Sequence, residues 1–385
     1  MNSLYKKKPF PYLIIVVLTI ISSLLLWLPF LAHISHIGGI NIPTTGMQTI
    51  EANWDGPLYI IPAKTLYNPN DSIYINPPLG LSPSYFAAHL PLYPFTIRML
   101  SSVLSYPKAM LASTLIASIL FFCLFYYVSK KHRLTSFPLI LTLVLMFWPR
   151  LWIIRSIGSP EPFFLVFLLA SIFLFIDKKY FFASILGSLA VWTKVPGVLL
   201  FPSFGLYIGY IYFKTKTFKP SYLWILLIPL SLIGVFQFYS IQLHDFFAYF
   251  HTGAVVPMPR IFAVFNTSSI WVGTAWLEDI IFLFLFLISA TVVAVTCKIK
   301  ENDSWIKIIA SFMVVFIGAL TFVEHRDISR YSLPLIPLVF LIFEKLFTDR
   351  RFLIALCIVL PALYLYALNF IIANAAPITD WIPFL

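Results

Sequence analysis

Glu51 and Asp55 are the side chains of this sequence best suited to moving a proton. They stand four residues apart in Glu51-Ala52-Asn53-Trp54-Asp55-Gly56-Pro57-Leu58-Tyr59, with two aromatic rings beside them. A carboxylate can take the proton of a hydroxyl while that oxygen attacks an electrophilic carbon. Were the segment helical, both carboxylates would share a face, and two acids held together raise one pKa toward that of a useful base. The Gly-Pro that follows also suits a helix start, so Asp55 has a capping alternative. The base role falls to Asp55 first and to Glu51 second, with the rings of Trp54 and Tyr59 beside them.

A second set of residues suits an anion. Glu324-His325-Arg326-Asp327-Ile328-Ser329-Arg330-Tyr331 is a dense charge cluster, and guanidinium groups bind phosphate through paired hydrogen bonds. Its alternative is a solvated loop with internal ion pairs. Lys194 is a lone cation in an apolar stretch, where an ionisable group is costly and so faces a cavity or a partner. Arg98 closes His89-Leu90-Pro91-Leu92-Tyr93-Pro94-Phe95-Thr96-Ile97-Arg98, an interfacial segment broken by two prolines, and snorkelling is its alternative. Glu161, in Ser159-Pro160-Glu161-Pro162, opens a helix, a placement that is electrostatically favourable by itself.

These groups must be positioned by membrane spans. The chain of 385 residues is 60% hydrophobic and only 11% charged, with mean hydropathy +0.92, whereas soluble domains carry roughly 25% charged residues. By the ~20-residue rule the sequence reads as about eleven passes, over 10–32, 107–128, 135–149, 161–176, 180–195, 197–213, 221–242, 277–297, 305–323, 332–347 and 352–373. Trp192-Thr193-Lys194-Val195-Pro196-Gly197 is either a turn between two spans or a break within one. Between the first two passes lies a long loop with interfacial helices, 33–106, and a second large loop covers 243–276.

Lys6, Lys7 and Lys8; Lys130, Lys131 and Arg133; Lys178 and Lys179; Lys214, Lys216 and Lys219; Lys298, Lys300 and Lys307; and Lys345, Arg350 and Arg351 fall on alternate loops. That bias puts them and the N-terminus in the cytoplasm and places the first loop outside. Lys64, Arg98, Lys108, Arg150, Arg155, Lys194, Arg260, Arg326 and Arg330 break the pattern, and anion binding is the simplest reason to keep them. The net charge of +11 is therefore mostly a topology signal and gives no indication of nucleic-acid binding. Cys123, Cys297 and Cys357 lie in or beside apolar runs without metal-type spacing. Neither HExxH nor HxH occurs, and no phosphate-cradling glycine loop or Ser-His-Asp signature is found, so metal-independent chemistry is expected.

Taken in order, these motifs resemble a known family. Trp54-Asp55-Gly56 with Tyr59, Pro91-Leu92-Tyr93-Pro94 with Arg98, Ser159-Pro160-Glu161-Pro162-Phe163, Thr193-Lys194-Val195-Pro196-Gly197 and Arg330-Tyr331-Ser332-Leu333-Pro334 are similar to the PIG-V-like (GPI mannosyltransferase II-like) members of the GT-C membrane glycosyltransferases. Phe246-Phe247-Ala248-Tyr249-Phe250-His251 resembles that family's outer-loop segment, and the likeness runs from about residue 50 to 345. Where the family more often has Arg, this chain has Lys194.

The resemblance implies an all-α polytopic membrane protein, a single GT-C-like domain over 1–385. It implies an inverting glycosyltransferase, mannosyltransferase-like, that draws a monosaccharide from a polyprenyl- or dolichyl-phosphate donor without a cofactor. The acceptor hydroxyl would belong to a glycolipid, a glycan or a protein. Asp55 takes the base role, Arg326, Arg330, Lys194, Arg98 and His325 the donor phosphate, and Trp54, Tyr59, Tyr93, Glu161, Tyr331 and His251 the sugar or acceptor. The bilayer is the expected surrounding, in a prokaryotic cell membrane or the endoplasmic reticulum. A transporter or flippase for lipid-linked sugars and an inactive glycolipid-binding relative are the competing readings.

Overall fold

The structure, a computed structural model, describes residues 9–53, 55–252, 257–265, 274–296 and 304–385. Trp54, the orienting cations Lys6, Lys7, Lys8, Lys298 and Lys300, and Cys297 lie outside the described residues, as does much of the 243–276 loop.

Almost all of the described chain that is ordered into elements is helical. It begins with α1 (Phe10–Leu31), with prolines at its start where the missing N–H costs nothing. A hairpin, β1 (His36–Ile37) and β2 (Ile40–Asn41), turns on Gly38 and Gly39, whose φ values of 53° and 80° are those of a turn that glycine favours at both central positions. Short elements follow, among them α2 (Met47–Glu51), α3 (Gly56–Thr65), the 3₁₀ turn Pro83–Ala88 and α4 (Leu92–Leu100). Then come α5 (Tyr106–Lys131), α6 (Pro138–Met146), α7 (Pro149–Ile154), α8 (Glu161–Ile176), α9 (Tyr180–Thr193), α10 (Leu200–Thr215), α11 (Leu227–Leu243) and α12 (Ala248–His251). The last helices are α13 (Thr274–Thr296), α14 (Ser304–Leu320), α15 (Ile328–Tyr331), α16 (Ile336–Ile342), α17 (Glu344–Phe347) and α18 (Arg350–Ala373).

Among the described residues, six helical stretches are long and apolar enough to cross a membrane: Phe10–Leu31, Tyr106–Lys131, Val195–Thr215, Pro220–Leu243, Trp276–Thr296 and Arg350–Ala373. Glu161–Ile176, Tyr180–Thr193, Trp305–Leu320 and Ile328–Ile342 are shorter apolar helices. The expected count of eleven is thus met by length in only six. The run 135–149 holds α6, nine residues that rise only about 14 Å, short of a ~30 Å hydrocarbon core. The run 332–347 is divided by Pro334 and Pro337 into a 3₁₀ turn and α16, with α17 after it.

Packing divides the chain into two compact units. The first comprises Met1–Val166, Phe236–Thr252 and Lys345–Leu385; the second comprises Phe167–Val235 and Gly253–Glu344. In the first, α3 is buried nearly all round, and Leu58, Tyr59, Ile60 and Ile61 join Ile97, Met110, Trp152 and Leu368 in one core. Each of those α3 side chains contributes roughly 1.5–3 kcal/mol by leaving solvent. Polar bonds tie α1 to the α7 region: Trp27 Nε1 donates to Ser156 O at 2.6 Å, Trp152 Nε1 to Ser22 O at 3.0 Å, and Arg155 Nη2 to Ser22 Oγ at 2.7 Å. In the second unit, Phe175 stacks on Phe204 at 4.0 Å, and α10 and α13 both pack on α14.

Candidate functional site

Asp55 stands at the position before α3, where a carboxylate ordinarily accepts a hydrogen bond from the second or third helical N–H. It makes no such cap bond. Two features account for this. Its φ and ψ, −86° and −22°, are helical rather than extended, and the second helical residue is Pro57, which has no N–H to offer. Gly56 N–H is instead bonded to Asn53 O at 2.7 Å. The capping alternative for Asp55 is therefore not realised, and its carboxylate is not used to end the helix.

The shared helical face expected for Glu51 and Asp55 is not formed. α2 ends at Glu51, and Asn53 pairs with Ala375 in an isolated β-bridge that interrupts the helix before Asp55. Burial pushes the Glu51 carboxyl up, and the Lys108 ammonium draws it part of the way back. A carboxyl raised in the native state favours folding only while protonated, and that contribution is lost as pH rises through its raised value. Glu51→Gln is expected to raise the melting temperature by about 1–2 °C at pH 7–8 and to leave it unchanged near pH 4, below the unfolded pKa of ~4.3. A gain of equal size at both pH values would show that desolvation of the charge is not its cause.

Three sequence motifs meet in the first unit. A Cβ on Gly56 would lie 3.0 Å from Met110 Sδ and 3.3 Å from Gly158 O, and one on Gly158 would fall 2.3 Å from Met110 Sδ. Glycine at both positions lets the start of α3 approach the turn before α8. Ser159 N–H in that turn is shared between Tyr93 Oη and Thr114 Oγ1, both at 3.0 Å, while Tyr93 Oη donates to Met110 O at 3.1 Å. Ser159 Oγ donates to Glu161 Oε2. Tyr93 is fully buried and Glu161 nearly so, so these two support the site from behind instead of lining it. Burial pushes the Tyr93 phenol well up despite its hydrogen bonds to Thr114 and Ser159.

Beside this scaffold sits an aromatic cluster that joins Tyr67, Tyr85 and His89 to the Tyr59 and Tyr93 of the motif reading. Tyr59 meets the His89 ring edge-on at 4.7 Å and the Tyr93 ring at 5.0 Å. His89 also packs on Tyr85 at 5.8 Å, and its carbonyl accepts a hydrogen bond from Tyr67 Oη. Tyr85 is only half-buried; its phenol is raised first by burial and then by the negative charge of Asp55. Tyr67 and Leu66 close α3 in the left-handed region, φ 63° and 51°, an uncommon backbone for such residues. A signal for this cluster was the density of Tyr, Phe and His over residues 85–95, legible as composition but not as geometry.

Most of the cations that break the loop pattern have structural tasks. Arg98 Nη1 donates to Ala63 O at 3.0 Å and Lys64 O at 2.9 Å, holding the carbonyl end of α3. Arg155 is buried, bonded to Ser22 and Met146 O, with Phe122, Phe147 and Trp152 around it. Arg150 lies 4.1 Å over the Phe370 ring, and Arg260 pairs with Glu324 at 2.6 Å. Lys64 bonds carbonyls of the 374–385 segment. Anion binding is thus not the simplest reason for these five. His251 is exposed and pairs through Nδ1 with Asp245 at 2.6 Å.

The second unit gathers the other motifs. α9 ends at Thr193, Lys194 is extended at φ −152° and ψ 134°, and the 3₁₀ turn Val195–Leu199 leads into α10. Gly197 lies so close to α9 that a Cβ would fall 2.6 Å from Val191 N, so the chain doubles back here as a turn between helices. Lys194 Nζ stands 5.9 Å over the Tyr331 ring, and the His325 ring lies 5.0 Å from Tyr331. His325 Nδ1 accepts the Asp327 N–H at 2.9 Å. Arg330 lies on α15 and is half-buried, while Arg326 is exposed. Among the described residues, no group of three or more His, Cys, Asp or Glu side chains is arranged to hold a metal ion.

Fold and composition define a multi-pass α-helical membrane protein. No family model matches the sequence, and no curated protein matches it.

Proposed function

We propose that the protein is a GT-C-type membrane glycosyltransferase, moving one sugar from a polyprenyl- or dolichyl-phosphate donor to an acceptor hydroxyl on the extracytoplasmic face. The observation that carries this reading is Asp55: a carboxylate at a helix start that does not cap the helix, next to Gly56, which closely approaches Gly158 of the turn before α8. In the reaction, the acceptor O–H gives its proton to Asp55 while its oxygen bonds to the anomeric carbon. The bond from that carbon to the phosphate oxygen breaks, and the lipid phosphate leaves from the opposite face with the electron pair. Cations that stabilise the leaving charge contribute most when they are already in place. Arg98 is reassigned to holding α3, and Tyr93 and Glu161 to supporting the site.

A single displacement inverts the anomeric centre. Transfer from a donor of known anomeric configuration is expected to give a product of the opposite configuration, read by NMR of the isolated product. A product that keeps the donor's configuration would remove Asp55 from the role of base in a one-step transfer.

A further inference from the structure

The segment after α18 lies along both ends of α3. At the near end, Ala376 N–H donates to Ala52 O at 2.6 Å, Ala375 bridges to Asn53, and Asn53 Nδ2 reaches Ile371 O, in the last turn of α18, at 3.4 Å. Ala52, Asn53 and Ala376 are all buried. At the far end, Lys64 Nζ donates to Pro383 O at 2.9 Å and Leu385 O at 2.8 Å. Between these ties, the 3₁₀ turn Ile382–Phe384 packs on α3, and Phe384 enters the same core as Ile60 and Ile61. The near ties fall on Ala52 and Asn53, and Asn53 O in turn accepts the Gly56 N–H at 2.7 Å. The backbone on either side of Trp54-Asp55 is therefore fixed by a segment more than 300 residues away in sequence.

We propose that the last turn of α18 and the segment after it, residues 371–385, form a strap that sets the position of Asp55, with Asn53 as the positioning residue through which it acts. A buried, doubly tied asparagine two residues before a carboxylate is a costly arrangement for a loop that only connects helices, because each buried polar group must be satisfied. A base works only when held within a fraction of an ångström of its proton. The proposal rests on the assignment of Asp55 as the base, and its test separates the two.

Asn53→Ala, Ala376→Pro, which deletes the N–H given to Ala52, and Lys64→Met at the far end are compared with the wild-type full chain in one detergent. Ala376→Gly keeps the N–H and serves as the conservative variant. Hydrogen–deuterium exchange over residues 47–60 is expected to quicken at least about tenfold in the first two variants, and in Ala376→Gly to stay at the wild-type rate. With a donor that supports transfer, kcat should fall about 10–100-fold while KM for the donor stays within about twofold. Faster exchange in a chain with no transfer activity would sustain the strap and count against the transferase reading. Unchanged exchange over 47–60 in both Asn53→Ala and Ala376→Pro, with transfer intact, would overturn the strap and leave the transferase reading standing. Should Ala376→Pro fail to fold, Lys64→Met carries the same comparison from the other end.

Discussion

Asp55→Asn is expected to fold as the wild-type chain does and to lose transfer activity by about 10²–10⁴-fold, the range for removing a general base. Two structural facts make the effect specific. The carboxylate makes no cap bond to α3, and Pro57 leaves no N–H at the second helical position for it to hold, so an amide of the same size costs the helix little. The surrounding backbone is fixed by Asn53 and by the close approach of Gly56 to Gly158. Initial rates and melting curves on the same preparations check this. An Asp55→Asn protein with full activity would end the assignment, and one that melts many degrees lower would return Asp55 to a structural role.

Gly197→Ala is expected to destabilise the second unit by about 3 kcal/mol, because overpacking against an immovable neighbour is among the costlier substitutions. The added Cβ would lie 2.6 Å from Val191 N, 2.7 Å from Ala190 C and 3.0 Å from Ala190 O. These are backbone atoms of α9, so no side chain can swing aside. Relief requires the turn Val195–Leu199 to lift away from α9, moving Lys194 with it. Gly205→Ala and Gly209→Ala, with nothing within 4 Å of the added carbon, are the matched controls and should leave the melting temperature near wild type. Thermal melting in detergent reads the difference, and equal stability of all three variants would contradict the packing of this turn.

The sequence made the helices legible because long apolar runs mark their own limits. The run 161–176 coincides with α8, and 10–32 differs from α1 by one residue. It also marked the motifs that meet around α3, since Trp-Asp-Gly, Pro-Leu-Tyr-Pro and Ser-Pro-Glu-Pro carry unusual residues between apolar stretches. What it could not show depends on contacts distant in sequence. The break between α2 and α3 is made by Ala375 and Ala376 pairing with Ala52 and Asn53, a partner that local spacing cannot reveal. Arg98 looked available because its acceptors, the carbonyls of Ala63 and Lys64, are backbone groups that every residue carries. Arg155 reads in sequence as one of the cations kept for an anion, yet its partner Ser22 lies in the middle of α1. Pattern reading finds charges and runs; it does not find which carbonyl or hydroxyl a charge will meet.

The most direct test of the central claim is a donor panel. The purified full chain in detergent is incubated with radiolabelled polyprenyl-phosphate monosaccharides and added acceptor lipids, with and without chelator, and sugar transfer is measured. The account predicts transfer from at least one donor, undiminished by chelator and lost in Asp55→Asn. Measurable binding of a donor with no transfer from any of them, together with movement of that lipid across vesicle membranes, would contradict it and establish transport in its place.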